Sequence, residues 1–117
     1  MKPAPLKPVV SLDDLEKLDI RVGTIRDVID VPASKKLVQL VVSFGDHQRS
    51  ILAGLKEERS EPRTLVGRQA LFVVNLAPRT MAGIVSEGML FDLGYADGIT
   101  PVLAQPETPV PDGCRAG

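Results

Sequence analysis

The segment "DIRVGTIRDVID", residues 19–30, constrains the fold more than any other stretch. Side chains alternate faces along a strand, so Ile20 and Val22 share a side. The next apolar residue is Ile25, one step out of phase, and Gly23 stands where the phase slips. Such a slip marks a bulge or a sharp bend. Strands that curl into small barrels need bends of this kind.

The neighbouring segments fit a curled sheet. "LVQLVVSF" alternates, with Val38, Leu40, Val42 and Phe44 on one face. "GDHQ" reads as a turn and "RSILA" as the returning strand of a hairpin. "RQALFVVNL" holds five consecutive apolar residues, Ala70 to Val74, which implies cover on both faces. "EGMLFDLG" reads as another strand, with Met89, Phe91 and Leu93 on one face, and "ITPVLA" as a short one. "SLDDLEKL" reads as a short helix capped by Ser11, with Leu12, Leu15 and Leu18 on one side. "LKEERSEPRTLVG" is polar and helix-compatible until Pro62, and places Lys56 on a solvated surface. Residues 1–10 form an extended, proline-broken arm, and residues 11–117 form the domain. The expected fold is all-β. It is a five-stranded OB-type barrel with one short N-terminal helix, a helix between strands three and four, and a Pro-rich C-terminal extension.

Totals exclude several functions. At 117 residues the chain makes one domain with a modest core. One His and one Cys build no zinc cluster, so no metal or other cofactor is expected. A lone cysteine forms no internal disulfide. Cys114 is expected to be an ordinary thiol in a flexible tail. With no apolar signal core in "MKPAPLKPVV" and no membrane-length run, a reducing cytoplasm is the expected compartment. Three Phe, one Tyr and no Trp rule out a wide aromatic platform for stacking bases. The net charge of −1 and a pI near 5.8 confine any polyanion binding to a local patch.

No catalytic constellation assembles. Ser86, in "VSEGM", lacks the small residue two positions earlier that a nucleophile elbow needs. His47 lies in a hairpin turn beside Asp46, where a histidine is ordinarily solvated. The acidic pairs lie on polar, helix-like faces. The chain is not expected to be an enzyme.

The stretch "NLAPRTMAGIVSEGM", residues 75–89, offers binding chemistry instead. Asn75 either caps the end of its apolar strand or presents its amide to a ligand. Pro78 stiffens the backbone before Arg79, whose planar fork suits phosphate oxygens and base edges. Paired with Glu87, the same arginine would be an ordinary surface residue. Gly83 and Gly88 bracket Ser86, so its hydroxyl can approach a ligand closely. Met89 either packs on a ligand or fills the core.

"LDIRVGTI", "KL" at 36–37 and "LVGRQALFVVNLAPRTMAGIVSEGM" resemble the tRNA-binding domain family. The resemblance covers roughly residues 11–113. That family includes the C-terminal appendix of many methionyl-tRNA synthetases, free-standing dimeric tRNA-binding proteins, and CsaA, proposed to assist secretion. The tail "LGYADGITPVLAQPETPVPDGCR" is nearer to CsaA, whereas "SEGM" points to the synthetase appendix. The resemblance implies an OB-fold homodimer, paired through its C-terminal extension (residues 11–117 being the tRNA-binding domain with that dimerisation extension), that grips the outside corner of tRNA by shape. Carried over residue by residue, the tRNA contacts are Arg21, Lys36, Asn75, Arg79, Ser86 and Met89. Glu87 is assigned a structural role, orienting Arg21 or Arg79. Lys35 stands where the family often has an acidic residue, Thr80 where it often has a second basic one, and Val38 where it often has tyrosine. The implied partners are tRNA, a second copy and an aminoacyl-tRNA synthetase. The alternative is a CsaA-like export chaperone that binds unfolded polypeptides.

Overall fold

A computed structural model describes residues 2–117. The elements run α1 (Leu12–Glu16), β1 (Ile20–Asp30), β2 (Val38–Ser43), β3 (Gln48–Ala53), β4 (Gln69–Val73), β5 (Arg79–Met81), β6 (Ile84–Ser86), β7 (Met89–Leu90), β8 (Asp92–Leu93) and β9 (Val102–Leu103). One sheet has the order β3-β2-β1-β4-β7, with every pairing antiparallel. Its two edges approach each other: the Glu87 N–H donates to the Ser50 carbonyl at 2.8 Å, beside the β7 edge. The sheet therefore curls into a nearly closed five-stranded barrel, the expected OB-like architecture.

β1 makes the curl possible. Its first half pairs with β4 (Ile20↔Val73 to Thr24↔Gln69) and its second half with β2 (Thr24↔Ser43 to Asp30↔Val38). The extra residue lies between Ile25 and Asp27, so the bulge is at Arg26, three residues beyond the phase slip. Gly23 answers a different need. A Cβ there would stand 2.5 Å from Val42 Cγ1 and 2.9 Å from Phe44 Cε1, because β2 crosses it closely. Both neighbours are buried and packed, so neither side chain can swing clear. Gly23→Ala is expected to cost about 1–3 kcal/mol by overpacking, read as a lower urea midpoint with an unchanged slope.

Phe72, Ile25, Leu40, Ile51 and Val42 are completely buried and fill the barrel. Ala70, Phe72 and Val74 face this core, while Val73 is buried on the opposite side, so β4 is covered on both faces. Ser11 caps α1 by accepting from the Asp14 N–H at 3.1 Å.

Three expectations are corrected. Between β3 and β4 there is no α-helix, only a single 3-10 turn, Pro62–Leu65. Proline starts this turn rather than ending a longer helix, since its fixed φ suits a first helical position. "EGMLFDLG" is not one strand: it splits into β7 and β8, which belong to different sheets. Leu90, of the opposite phase to Met89, is the residue that enters the core.

The C-terminal tail is not loose either. Val22 N–H donates to Cys114 O, Gly113 N–H to Val22 O, and Ala116 N–H to Ile20 O. Residues 113–116 thus dock along β1 as an added edge. The tail before them is pinned at Asp112, which accepts from Thr24 Oγ1 and from Gln69 Nε2. Cys114 is exposed, but on a fixed backbone. No helix is long and apolar enough to cross a membrane among the described residues.

Candidate nucleic-acid interface

Residues 75–89 form a hairpin laid against β3. β5 and β6 pair through Arg79↔Ser86, Thr80↔Val85 and Met81↔Ile84. The two-residue tip, Ala82 and Gly83, has φ values of 49° and 79°. Two consecutive positive φ values are what a tight type I′ hairpin demands. Arg79 is exposed at the base of this hairpin and makes no hydrogen bond or ion pair among the described residues. Its fork is open to a ligand.

Ser86, opposite Arg79, is only 5% exposed. Its Oγ accepts from the Leu52 N–H at 3.0 Å and donates to Gly88 O at 3.2 Å. The hydroxyl rivets the hairpin to β3 and points away from solvent. Glu87 continues the seam. Its Oε1 accepts from the Ser50 N–H at 3.0 Å, and its carbonyl accepts from Arg49 at 3.1 Å. Glu87 is structural, as expected, but it orients neither Arg21 nor Arg79. Arg49 is the residue that sequence reasoning missed. Its Nη1 also donates to Val74 O at 2.6 Å, so one guanidinium ties β3 to the end of β4 and to the hairpin. Its signal is faint: a basic residue at the start of a strand, in phase with Ile51.

Asn75 and Arg21 come together at the same end of β4, next to Val74. Asn75 Oδ1 accepts from the Asp19 N–H at 2.8 Å, and its Nδ2 donates to Lys17 O at 2.7 Å. The amide fastens the helix-to-β1 link to the end of β4. Arg21 donates from Nε and one Nη to the two oxygens of Asp19, at 2.9 and 3.1 Å. These bonds hold the Asp19 carboxyl below its ordinary range, with smaller contributions from the charges of Arg21, Arg115 and Arg49. Asp19 is more acidic folded than unfolded. The pair's stabilisation is therefore complete above the ordinary value near pH 3.9 and is lost as pH falls through the lowered folded value. Thermal melts should show an Asp19→Asn variant losing its deficit against the parent only on that acid side, with the deficit constant from about pH 5 to 8.

Lys36 lies exposed in the β1–β2 loop, apart from the other candidates. That loop is held by Ser34, whose Oγ accepts from the Lys36 and Leu37 N–H groups. It is held also by Lys56, expected from sequence to be a bystander. Lys56 Nζ donates to Val31 O at 2.9 Å and Ser34 O at 2.7 Å, and pairs with Asp30. Lys56 thus positions the loop that carries Lys35 and Lys36. Lys56→Ala is expected to lower stability by roughly 1.5–3 kcal/mol, since bonds from a charged donor are lost; a thermal melt reads it.

Met89 is 45% exposed and is not core. It lines a groove with Leu52, Leu90, Phe91 and Tyr95 on a separate face. A second apolar groove, about 490 Å³, lies between α1 and the docked tail, lined by Leu12, Leu15, Leu18, Ile20 and Ala116.

Comparison with known proteins bears on the family and the fold. The family model described as "Putative tRNA binding domain" matches residues 20–115. Methionine–tRNA ligase of Parabacteroides distasonis is 41% identical over 112 residues, covering 96% of this chain and 16% of that protein. The corresponding ligase of Chlorobium luteolum is 48% identical over 84 residues, covering 72% of this chain and 12% of that protein. The chain thus spans less than a fifth of the curated relatives' length. Among solved structures, a MetRS-related protein from Pyrococcus horikoshii matches with a TM-score of 0.86 and 32% identity, over 95% of this chain and 100% of that one. The chaperone CsaA from Bacillus anthracis matches with a TM-score of 0.80 and 27% identity, over 94% of this chain and 100% of that one. With its barrel, its hairpin and nearly all of its length matched, the chain belongs to the tRNA-binding domain family.

Proposed function

We propose that this chain is a non-catalytic tRNA-binding module that acts as a homodimer and recognises tRNA by shape. The observation that carries this reading is the open guanidinium of Arg79, presented from a hairpin that Ser86, Glu87 and Arg49 hold rigid. Phosphate contacts position such a protein, and double-stranded RNA is read mostly through shape and backbone. Arg79 supplies one contact, and Lys36, on its pinned loop, supplies another. Asn75 and Ser86 act by holding the surface, since their polar atoms are engaged within the protein. Arg21, which gives two of its five N–H groups to Asp19, contributes through the others. Met89 offers an apolar edge in its own groove on a separate face.

The dimer reading rests on the exposed leucines of α1 and of the link after it. Leu12, Leu15 and Leu18 remain 44–68% exposed and flank the groove beside Ala116. A second copy of the same face would cover them, as isologous pairing requires. Light scattering at micromolar protein should give twice the 12.6 kDa chain mass; a 12.6 kDa particle would overturn it. An aminoacyl-tRNA synthetase in the cytoplasm is the partner that the ligase relatives suggest.

One observation favours a second reading, that of a polypeptide-binding chaperone. The groove holding Met89, Leu52, Phe91 and Tyr95 is large, about 630 Å³, and partly apolar. A gel shift with bulk tRNA, run beside binding of an unfolded polypeptide, separates the two. Shifted tRNA with no polypeptide binding supports the first reading; the reverse supports the second.

A further inference from the structure

We propose that the pocket walled by Asp19, Arg21, Phe44, His47, Arg49 and Asn75 takes one unstacked nucleobase, with the His47 ring as its shelf. This rests on the reading of the chain as an RNA binder and adds to it a subsite that reads a neutral base rather than a phosphate.

The pocket is about 240 Å³, room for a single planar group. Its shelf is built from the core outward. The His47 ring lies over Phe44 with centroids 5.6 Å apart and planes 26° apart. Phe44 is itself buried and meets Phe72 edge-on, also at 5.6 Å. A scarcity of aromatic residues excludes a broad platform but not one backed ring. The ring is also locked in its plane. Arg49 Nε lies 3.1 Å from His47 Nε2, and an arginine can only donate, so Nε2 accepts. The proton is therefore on Nδ1, which donates to Asp46 Oδ1 at 2.6 Å. Both edges of the imidazole are used within the protein, and what its 46% exposed side chain still offers is a face. Faces stack on bases, and such stacking is sequence-tolerant.

Pairing decides between base and phosphate. Arg21 binds Asp19 through two bonds, Asp19 also faces Arg115 at 3.6 Å, and Arg49 is spent on the carbonyls of Val74 and Glu87. A phosphate therefore meets cations already engaged within the protein, in contrast to the open Arg79. Hydrogen-bonding capacity remains for a base edge. Arg21 gives only two of its five N–H groups to Asp19, and Asp46 keeps one oxygen beyond its bond to His47. One donor and one acceptor thus border the same shelf, as the mixed edge of a nucleobase requires.

The test is a titration of the His47 ring resonances by NMR with adenosine, guanosine, cytidine and uridine, beside ribose 5-phosphate, which has no base. At least one nucleoside should shift the ring, and ribose 5-phosphate should not. His47→Ala should weaken nucleoside binding about tenfold, as loss of a stacking partner does, whereas His47→Phe should retain it. If all four nucleosides leave the ring unmoved, or if ribose 5-phosphate moves it equally, the proposal is overturned. Failure of the pocket and failure of the tRNA reading give different results. A parent that binds tRNA while no nucleoside reaches His47 overturns the pocket alone. Nucleosides that shift His47 in a protein without tRNA affinity support the pocket and overturn the tRNA reading.

Discussion

An Arg49→Ala variant is expected to unfold with about 3 kcal/mol less free energy than the parent. Its guanidinium donates to Val74 O and Glu87 O, two carbonyls from different parts of the chain, and lies 5.9 Å over the Phe44 ring. Bonds from a charged donor contribute about 1.5–3 kcal/mol each, and truncation also leaves two part-buried acceptors without partners. The non-additivity of neighbouring bonds keeps the total near the value of one or two of them. The seam affected is the one that closes the barrel, so the hairpin bearing Arg79 should loosen with it. Urea unfolding gives the free energy, and hydrogen exchange at Leu52 and Glu87 gives the local opening. An Arg49→Lys variant should recover little, because an ammonium cannot span both carbonyls with a planar fork. A variant as stable as the parent would show that the backbone bond from Glu87 to Ser50 closes the barrel unaided.

Arg79→Ala is expected to weaken tRNA binding about tenfold or more while leaving the melting temperature unchanged. Arg79 is exposed and makes no hydrogen bond or ion pair among the described residues, so its removal costs the fold almost nothing. Its hairpin is already ordered by Ser86 and Glu87, so little entropy is lost when the fork engages RNA. A charge-assisted bond contributes roughly 1.5–3 kcal/mol, and about 1.4 kcal/mol is one decade of affinity. Filter binding beside a thermal melt separates the two effects. A variant that melts and binds like the parent would put the RNA surface elsewhere on the barrel.

The strands were legible where a period of two meets burial. Val38, Leu40, Val42 and Phe44 line the core as their alternation requires, and the run Ala70–Val74 is covered on both sides. The bend in β1 was legible as a phase slip, but its bulge falls at Arg26, because Gly23 serves the crossing of β2 instead. The segment after β3 misled because charged residues that suit a helix were spent elsewhere: Lys56 on the β1–β2 loop, Arg63 on Asp27 and Val28 O. The docking of Cys114 was invisible, since edge pairing is made by backbone groups that every residue carries. At the candidate site, local sequence could show that Asn75 and Ser86 were polar in an apolar setting. It could not show that their partners, Asp19 and Leu52, lie 56 and 34 residues away.

The most direct test of the account is the salt dependence of tRNA binding by the parent and by Arg79→Ala. Binding through phosphate contacts makes the logarithm of affinity fall linearly with the logarithm of salt, by somewhat less than one unit of slope per contact. The parent should bind bulk tRNA at low salt, and the variant's slope should be shallower by about one contact. Equal slopes for the two proteins, or a parent that does not bind tRNA at low salt, would contradict the claim that this barrel grips RNA through its Arg79 hairpin.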